Sequence, residues 1–198
     1  MSEKKNPISE AEIIELFEKT GALLSGHFIL RSGLRSRRFF QCALLLQHTE
    51  IADQVCGLLA DKLRIYEGVE SVISPAVGGI VVGQEVARHL GKRHIFDEKN
   101  DRGGLVLRRG FEIREGERFV VAEDVVTRGG RVQETIDIVR EHGGVVVAAA
   151  SIVDRSGGNL PDFGCPFCRL VNLNIETFDP QNLPPDLENI PALKPGSK

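Results

Sequence analysis

At 198 residues, with 41% hydrophobic and 27% charged residues, the chain can form one domain with a substantial core and at most a small appendage. A formal net charge of −3 argues against a general nucleic-acid or membrane surface, and apolar runs such as Val145 to Ala150 are far too short to cross a bilayer. The start, Met1-Ser2-Glu3-Lys4-Lys5, leads into an acidic segment with no apolar signal region, so the cytoplasm is the expected location.

Ser9 and Glu12 have the spacing of a capping box, and Ile13, Leu16 and Phe17 give the helix that follows, through Lys19, one apolar face. Gly21 ends it. His27 to Leu30 and Phe39 to Cys42 read as short strands around a Ser-Gly turn. Thr49 is placed to cap a second helix running through Arg64, with Ile51, Val55, Leu58, Leu59 and Leu63 facing inward. Val69 to Ile73 reads as a buried strand, Gly79 to Leu90 as a helix, and His94 to Phe96 as a third short strand. Leu105 to Leu107 and Phe111 to Ile113 bracket Arg108-Arg109-Gly110 and read as a hairpin. Phe119 to Ala122 and Val145 to Val153 are continuous apolar strands on either side of a helical pattern from Arg131 to Glu141.

Strands that alternate with helices and are apolar on both faces belong in a parallel sheet covered on each side, an α/β fold. Ligands of such sheets sit beyond the carboxyl ends of the strands. Three loops fall there: Ser74 to Gly79, Glu123 to Arg131 and Asp154 to Gly158. After Phe178 the chain turns proline-rich and polar (Pro180, Pro184, Pro185, Pro191, Pro195), which predicts a surface tail. The resulting division is a substrate segment over residues 1–45, a core over 46–178 and a tail over 179–198.

The second loop carries the most chemistry. An apolar run ends in Glu123 and Asp124, then passes through Val125-Val126-Thr127-Arg128-Gly129-Gly130-Arg131 into a helix. Glycines at 129 and 130 let the backbone approach a ligand closely, and the helix start offers unpaired N–H groups to a phosphate. Phosphate alone does not call for two acids at the strand end. A phosphorylated sugar does, because its hydroxyls need acceptors. Of the four cysteines, Cys165 and Cys168 have the spacing of half a zinc knuckle or a redox pair, while Cys42 and Cys56 lie in core segments. A structural zinc site needs two more placed ligands, and no His-x₃-His pattern follows, so reduced thiols are expected.

Glu123 to Arg131 resembles the phosphoribosyl-diphosphate (PRPP) motif of type I phosphoribosyltransferases. Three further segments are similar to the orotate phosphoribosyltransferases in particular: Ser25 to Gly33 with Phe39-Phe40, the loop Ser74 to Gly79, and Ile152 to Gly158. Leu107 to Glu112 matches the short bacterial form. The resemblance runs in register from about Ser9 to Gly158. It implies the type I fold, a central parallel sheet flanked by helices with a small N-terminal hood and a hairpin or flexible loop. The implied reaction joins orotate to PRPP, giving orotidine 5′-monophosphate and diphosphate in pyrimidine biosynthesis.

Residue roles follow from the same resemblance. Glu123 and Asp124 take the ribose hydroxyls, directly or through the waters of a Mg²⁺ that PRPP oxygens and water mainly hold, with no direct protein ligand. Val125, Val126, Thr127, Arg128, Gly129, Gly130 and Arg131 wrap the 5′-phosphate, Arg31 adds a basic contact to PRPP, and Ala76, Val77 and Gly78 serve the diphosphate. Arg155 grips the orotate carboxylate, Thr127 comes within reach of orotate, and Phe39 and Phe40 wall its ring. Two departures stand out. Gly78 occupies a place where many members carry lysine, and the long mobile loop of other members is reduced to residues 97–104. Lys99, Arg102, Arg108 and Arg109 are the cations available to the leaving diphosphate, and Gly103-Gly104 offers a hinge. A homodimer with shared active sites is implied, with PRPP and orotate as partners and no nucleic acid or membrane. A purine transferase on this fold would not need Arg155, and a nucleic-acid-binding regulator would need a broader basic face than Arg35, Arg37 and Arg38 provide.

Overall fold

The computed structural model describes residues 8–30 and 32–195. Helix α1 (Glu10–Lys19) opens on the expected capping box. The Ser9 hydroxyl accepts the Glu12 N–H, and the Glu12 carboxylate accepts the Ser9 N–H at 2.7 Å. Strands β1 (Leu23–Ile29) and β2 (Arg35–Phe40) then form an antiparallel hairpin separate from the main sheet. Helix α2 (Cys42–Leu46) is a short turn, and α3 (Thr49–Leu63) begins at Thr49, with His48 rather than Thr49 at its cap.

From there strands and helices alternate: β3 (Ser71–Pro75), α4 (Gly78–Leu90), β4 (Arg93–Lys99), β5 (Leu105–Leu107), β6 (Arg118–Val126), α5 (Gly130–Glu141), β7 (Val145–Asp154) and β8 (Phe167–Asn172). The sheet order is β5-β4-β3-β6-β7-β8, with every neighbouring pair parallel except β4 and β5. Residues Val72, Val120, Ala148 and Ile152 face α3 and α4, whose Val55, Leu59, Val82 and Val86 are fully buried against them. The opposite face, with Ile73, Phe119 and Val121, packs on Val132, Ile136 and Val139 of α5. Continuous apolar strands are what two such covers require.

The chain enters the sheet at β3, builds outward to β4 and β5, then returns to the other side of β3 with β6. The helix after β3 lies on one face and the helix after β6 on the other. Their loops therefore part at the carboxyl ends of these two strands, and a crevice opens there.

Several expectations change. Leu105 to Leu107 pairs with β4, as in Asp97 opposite Leu107, and Phe111 to Ile113 is not a strand. Left-handed Arg109 (φ 63°) and Gly110 (φ 70°) turn the chain so that Phe111 packs edge-on to Phe96 at 5.2 Å instead. The sheet is consequently mixed at one edge. Strand β8 was not evident, because Pro166 precedes it and Arg169 and Asn172 leave only short apolar pieces at that edge. Cys165 packs on the α5 side and Cys168 on the α3 side, so the pair does not converge on one site.

The described part of the tail, 179–195, is not a loose surface segment. Phe178 bridges Arg35, helix α6 (Pro185–Glu188) buries Leu187, and Leu193 pairs with Phe28. The Ile29 N–H donates to the Leu193 carbonyl at 2.7 Å, and the Leu193 N–H donates to the His27 carbonyl at 2.8 Å. The His27 ring meets the Ile190 carbonyl at 2.8 Å, while Arg37 grips Asp186 with two bonds of 2.7 Å. These contacts give the hairpin a third chain segment and a small core. Among the described residues no helix is long and apolar enough to cross a membrane. If the tail is integral, Leu187→Ala should lower unfolding free energy by about 2–4 kcal/mol in a urea titration, whereas a loose tail would show less than about 0.5 kcal/mol.

Candidate active site

The crevice between β3 and β6 is built by the absence of side chains on one wall and acids on the other. A Cβ at Gly78 would lie 2.9 Å from both carboxylate oxygens of Asp124, and one at Gly79 would lie 3.1 Å from Glu123 Oε1. The glycines thus let the start of α4 rest against the acidic strand end. Glu123 is buried and accepts the Asp124 N–H at 3.0 Å, and the Asp124 carboxylate accepts the Val125 N–H at 2.8 Å. Burial, reinforced by the neighbouring Asp124 charge, pushes the Glu123 carboxyl well above the usual range. A second acceptor pair so close gains from hydroxyl donors or from a cation's waters.

Immediately above lies a cavity of about 250 Å³, lined by residues 125–132 together with Glu123 and Glu134. Gly129 makes it possible twice over. Its φ of 76° is left-handed, and a Cβ there would lie 2.9 Å from the Phe163 ring. Helix α5 starts at Gly130 with no side-chain cap, so its first N–H groups point into the cavity without helical partners. Thr127 and Arg128 are exposed at the rim, whereas the Val126 side chain belongs to the core and its carbonyl accepts the Arg155 N–H at 2.7 Å.

Across the crevice the Ala76 N–H donates to the Asp97 carbonyl at 2.8 Å, so Ala76 contributes no free donor to a diphosphate. Gly78 and Gly79, at the uncapped start of α4, do. Val77 is 82% exposed. Below them Ser74 Oγ and His94 Nε2 are 2.7 Å apart, and burial pulls the His94 imidazole down to about 4, so a neutral ring supports the strand end.

Arg155 stands at the end of β7 with its guanidinium largely buried and its Nε without a partner among the described residues. Its neighbour Asp154 is engaged elsewhere, with Arg169 at 3.5 Å and the Ser156 N–H at 2.8 Å. Arg155 is therefore held for something other than that acid. Phe39 and Phe40 alternate across β2, so they cannot wall the same ring. Phe40 is in the core against Phe17 at 4.8 Å, and only Phe39, half-buried on Phe28, remains near the surface. Arg31 lies outside the described residues. Lys99, Arg102 and Arg108 are exposed, whereas Arg109 pairs with Glu98 at 2.9 Å.

The family model for the phosphoribosyl transferase domain matches residues 43–182. Orotate phosphoribosyltransferase from Caldicellulosiruptor bescii is 48% identical over 185 residues, covering 93% of this chain and 96% of that protein. The enzyme of the same name from Thermotoga petrophila is 49% identical over 94% of this chain and 98% of its own length. The crystal structure of orotate phosphoribosyltransferase from Aeropyrum pernix superposes with a TM-score of 0.68 at 25% identity, over 81% of this chain and 93% of that one. This chain belongs to the orotate phosphoribosyltransferase family.

The loop expected to offer a hinge is tied by its own hydrogen bonds. Asn100 N–H donates to Gly104 O at 2.8 Å and Gly103 N–H to Asn100 O at 3.0 Å, closing residues 100–104 into the turn between β4 and β5. Gly103 and Gly104 are thus parts of a hydrogen-bonded turn rather than a bare hinge. Sequence reasoning also passed over Asp97. It is fully buried in the last half of β4, and neither carboxylate oxygen has a partner among the described residues. Burial pushes its carboxyl up to about 7, with Glu134 adding to the rise and Thr135 and Arg131 opposing it. The only signal in the sequence was an acid at a strand end, where ligands gather.

The folded state therefore keeps the Asp97 proton that the unfolded chain releases near pH ~4. That contribution to stability is whole below pH ~4 and is lost as pH rises through about 7. Asp97→Asn should remove the dependence. Between pH 5 and 8 the variant should gain on the wild type by about 1–3 kcal/mol in urea unfolding, and a constant difference would mean that Asp97 does not titrate there.

Proposed function

We propose that this chain transfers the 5-phosphoribosyl group from PRPP to orotate, releasing diphosphate and forming orotidine 5′-monophosphate for pyrimidine nucleotide synthesis. One observation carries the reading: an uncapped helix start and an acidic strand end share one cavity, facing a second uncapped helix start across the switch point. The first helix start suits a 5′-phosphate, the acids suit ribose hydroxyls, and the second suits a diphosphate. PRPP has those three parts in that order.

In the reaction a bond forms between orotate N1 and the ribose anomeric carbon, the bond from that carbon to the diphosphate oxygen breaks, and the N1 proton passes to the departing diphosphate or to water. Positive charge develops on the ribose ring and negative charge on the departing group, so positioning and charge stabilisation dominate over a dedicated base. Glu123 and Asp124 hold the ribose hydroxyl face and lie on the side where positive charge grows. The amides of Gly78 and Gly79 receive the diphosphate, and Lys99, Arg102 and Arg108, exposed on and beside the turn between β4 and β5, are the cations offered to it.

A Mg²⁺ fits the donor set. Two adjacent carboxylates, one of them buried and disfavoured as an anion, gain from a cation whose first shell is substrate oxygen and water. Its chemistry there is to neutralise the leaving diphosphate. Among the described residues the one compact group of possible ligands, Asp53, Glu85 and His89, lies elsewhere on α3 and α4 and is bridged by Arg88.

Arg155 is the natural partner of the orotate carboxylate, since a half-buried guanidinium whose Nε has no partner among the described residues gains when a planar anion meets it. A homodimer belongs to the same reading. Val77 and Val81 are 82% and 43% exposed, beside a groove of about 340 Å³ between α4 and the Phe96–Phe111 pair, an apolar surface that a second copy would cover. With a cytoplasmic location, the reading involves no nucleic acid or membrane.

Orotate consumption with PRPP and Mg²⁺, compared with hypoxanthine and adenine, tests the assignment. Arg155→Ala should raise the KM for orotate by about tenfold or more, the value of a charged hydrogen-bonded contact, and leave PRPP affinity within about twofold. An unchanged orotate KM would remove Arg155 from this role, and turnover of a purine instead of orotate would overturn the assignment.

A further inference from the structure

Glu134 lies in the first turns of α5 and lines the same cavity as the phosphate-binding turn. A carboxylate there repels an incoming phosphate, so its place needs a reason. Its Oε2 accepts the Leu105 N–H at 3.2 Å and the Arg131 guanidinium at 2.8 Å. The same Arg131 nitrogen donates to the Gly103 carbonyl at 3.1 Å. The two backbone contacts fall on either side of Gly104, the residue that closes the 100–104 turn.

An exposed pair three residues apart on a helix ordinarily adds little to stability. This one differs in where it ends. It grips, from both sides, the turn that carries Arg102 and follows Lys99, and it does so from the helix start that faces the phosphate. Asp97, buried and unpartnered at the root of that turn, lies close enough to Glu134 and Arg131 to feel both charges.

We propose that Glu134 is a positioning residue, holding the turn with Lys99 and Arg102 in register with the phosphate-binding end of α5 through Leu105 and, by way of Arg131, through Gly103. The proposal rests on the reading that this corner receives the 5′-phosphate of PRPP. A phosphate that draws on Arg131 then draws on the same guanidinium that holds Gly103, so the two sites share one side chain. Glu134 keeps its bond to Leu105 throughout and so retains the base of the turn.

Trypsin cuts after Lys99 and Arg102, both exposed, and reports the clamp without any substrate. On the folded full-length chain, Glu134→Ala should speed cleavage at these two bonds at least about threefold, because cleavage tracks the open population. Cleavage at Arg64 and other distant sites should not change. With orotate and PRPP the same variant should lose kcat by about tenfold, with orotate KM within about twofold, as expected for misplaced loop cations. Glu134→Gln, which still offers an oxygen to Leu105, should recover part of both losses and serves as the deciding variant if alanine unfolds the chain. Wild-type cleavage rates at Lys99 and Arg102 in both folded variants would overturn the proposal, as would faster cleavage with unchanged kcat. Failure of the wild type to consume orotate would defeat the functional reading instead, while the proteolysis would still decide the clamp.

Discussion

The structure depends on pressing two adjacent carboxylates against a strand-to-helix loop that has no side chains at the contact. Glu123 and Asp124 repel one another, and Glu123 is buried, so the arrangement is disfavoured unless something compensates. Backbone donors supply part of the compensation, with the Asp124 and Val125 N–H groups each donating to a carboxylate. Glycine supplies the rest of the fit, since side chains at 78 or 79 would collide with these oxygens. What remains is an acidic site, with Glu123 disfavoured as an anion, beside two uncapped helix starts, which suits a ligand that brings hydroxyls, a cation's waters and phosphates together.

The order of the strands places that contact. Because the chain fills the sheet on one side of β3 and then on the other, α4 and α5 lie on opposite faces and their starts open toward a common space. Polar groups at the root of each strand brace the loops: the Ser74–His94 pair under one, and the Arg155 N–H bound to Val126 beside the other. The hood is a second unit in the same logic. It needs the returning chain, since a two-stranded hairpin buries too little alone, and Leu187, Leu193 and the Arg37–Asp186 pair complete it.

Much of this was legible in the sequence, for physical reasons. The core strands are continuous apolar runs, α1 carries its own capping box, and the phosphate-binding turn is written within nine consecutive residues, Glu123 to Arg131. Features that depend on distant residues were not legible. Nothing local says that Leu193 pairs with Phe28, that β5 chooses β4 over Phe111 to Ile113, or that Phe40 turns inward toward Phe17 while Phe39 does not. The same holds for Asp97, Leu105 and Glu134, which lie 8 to 37 positions apart and come together only after α5 packs on the sheet edge. Composition hid the tail in a different way, because prolines that look like disorder here carry an extended segment along a hairpin edge.

The most direct test of the central claim is calorimetric titration of PRPP with Mg²⁺ into the wild type and into Glu123→Gln/Asp124→Asn. Saturable binding at one site per chain, weakened by about tenfold or more in the double variant while ribose-free inorganic phosphate binds both equally, is the result the arrangement predicts. Equal affinity of both proteins for PRPP would contradict it, because the acids would then have no part in holding the sugar.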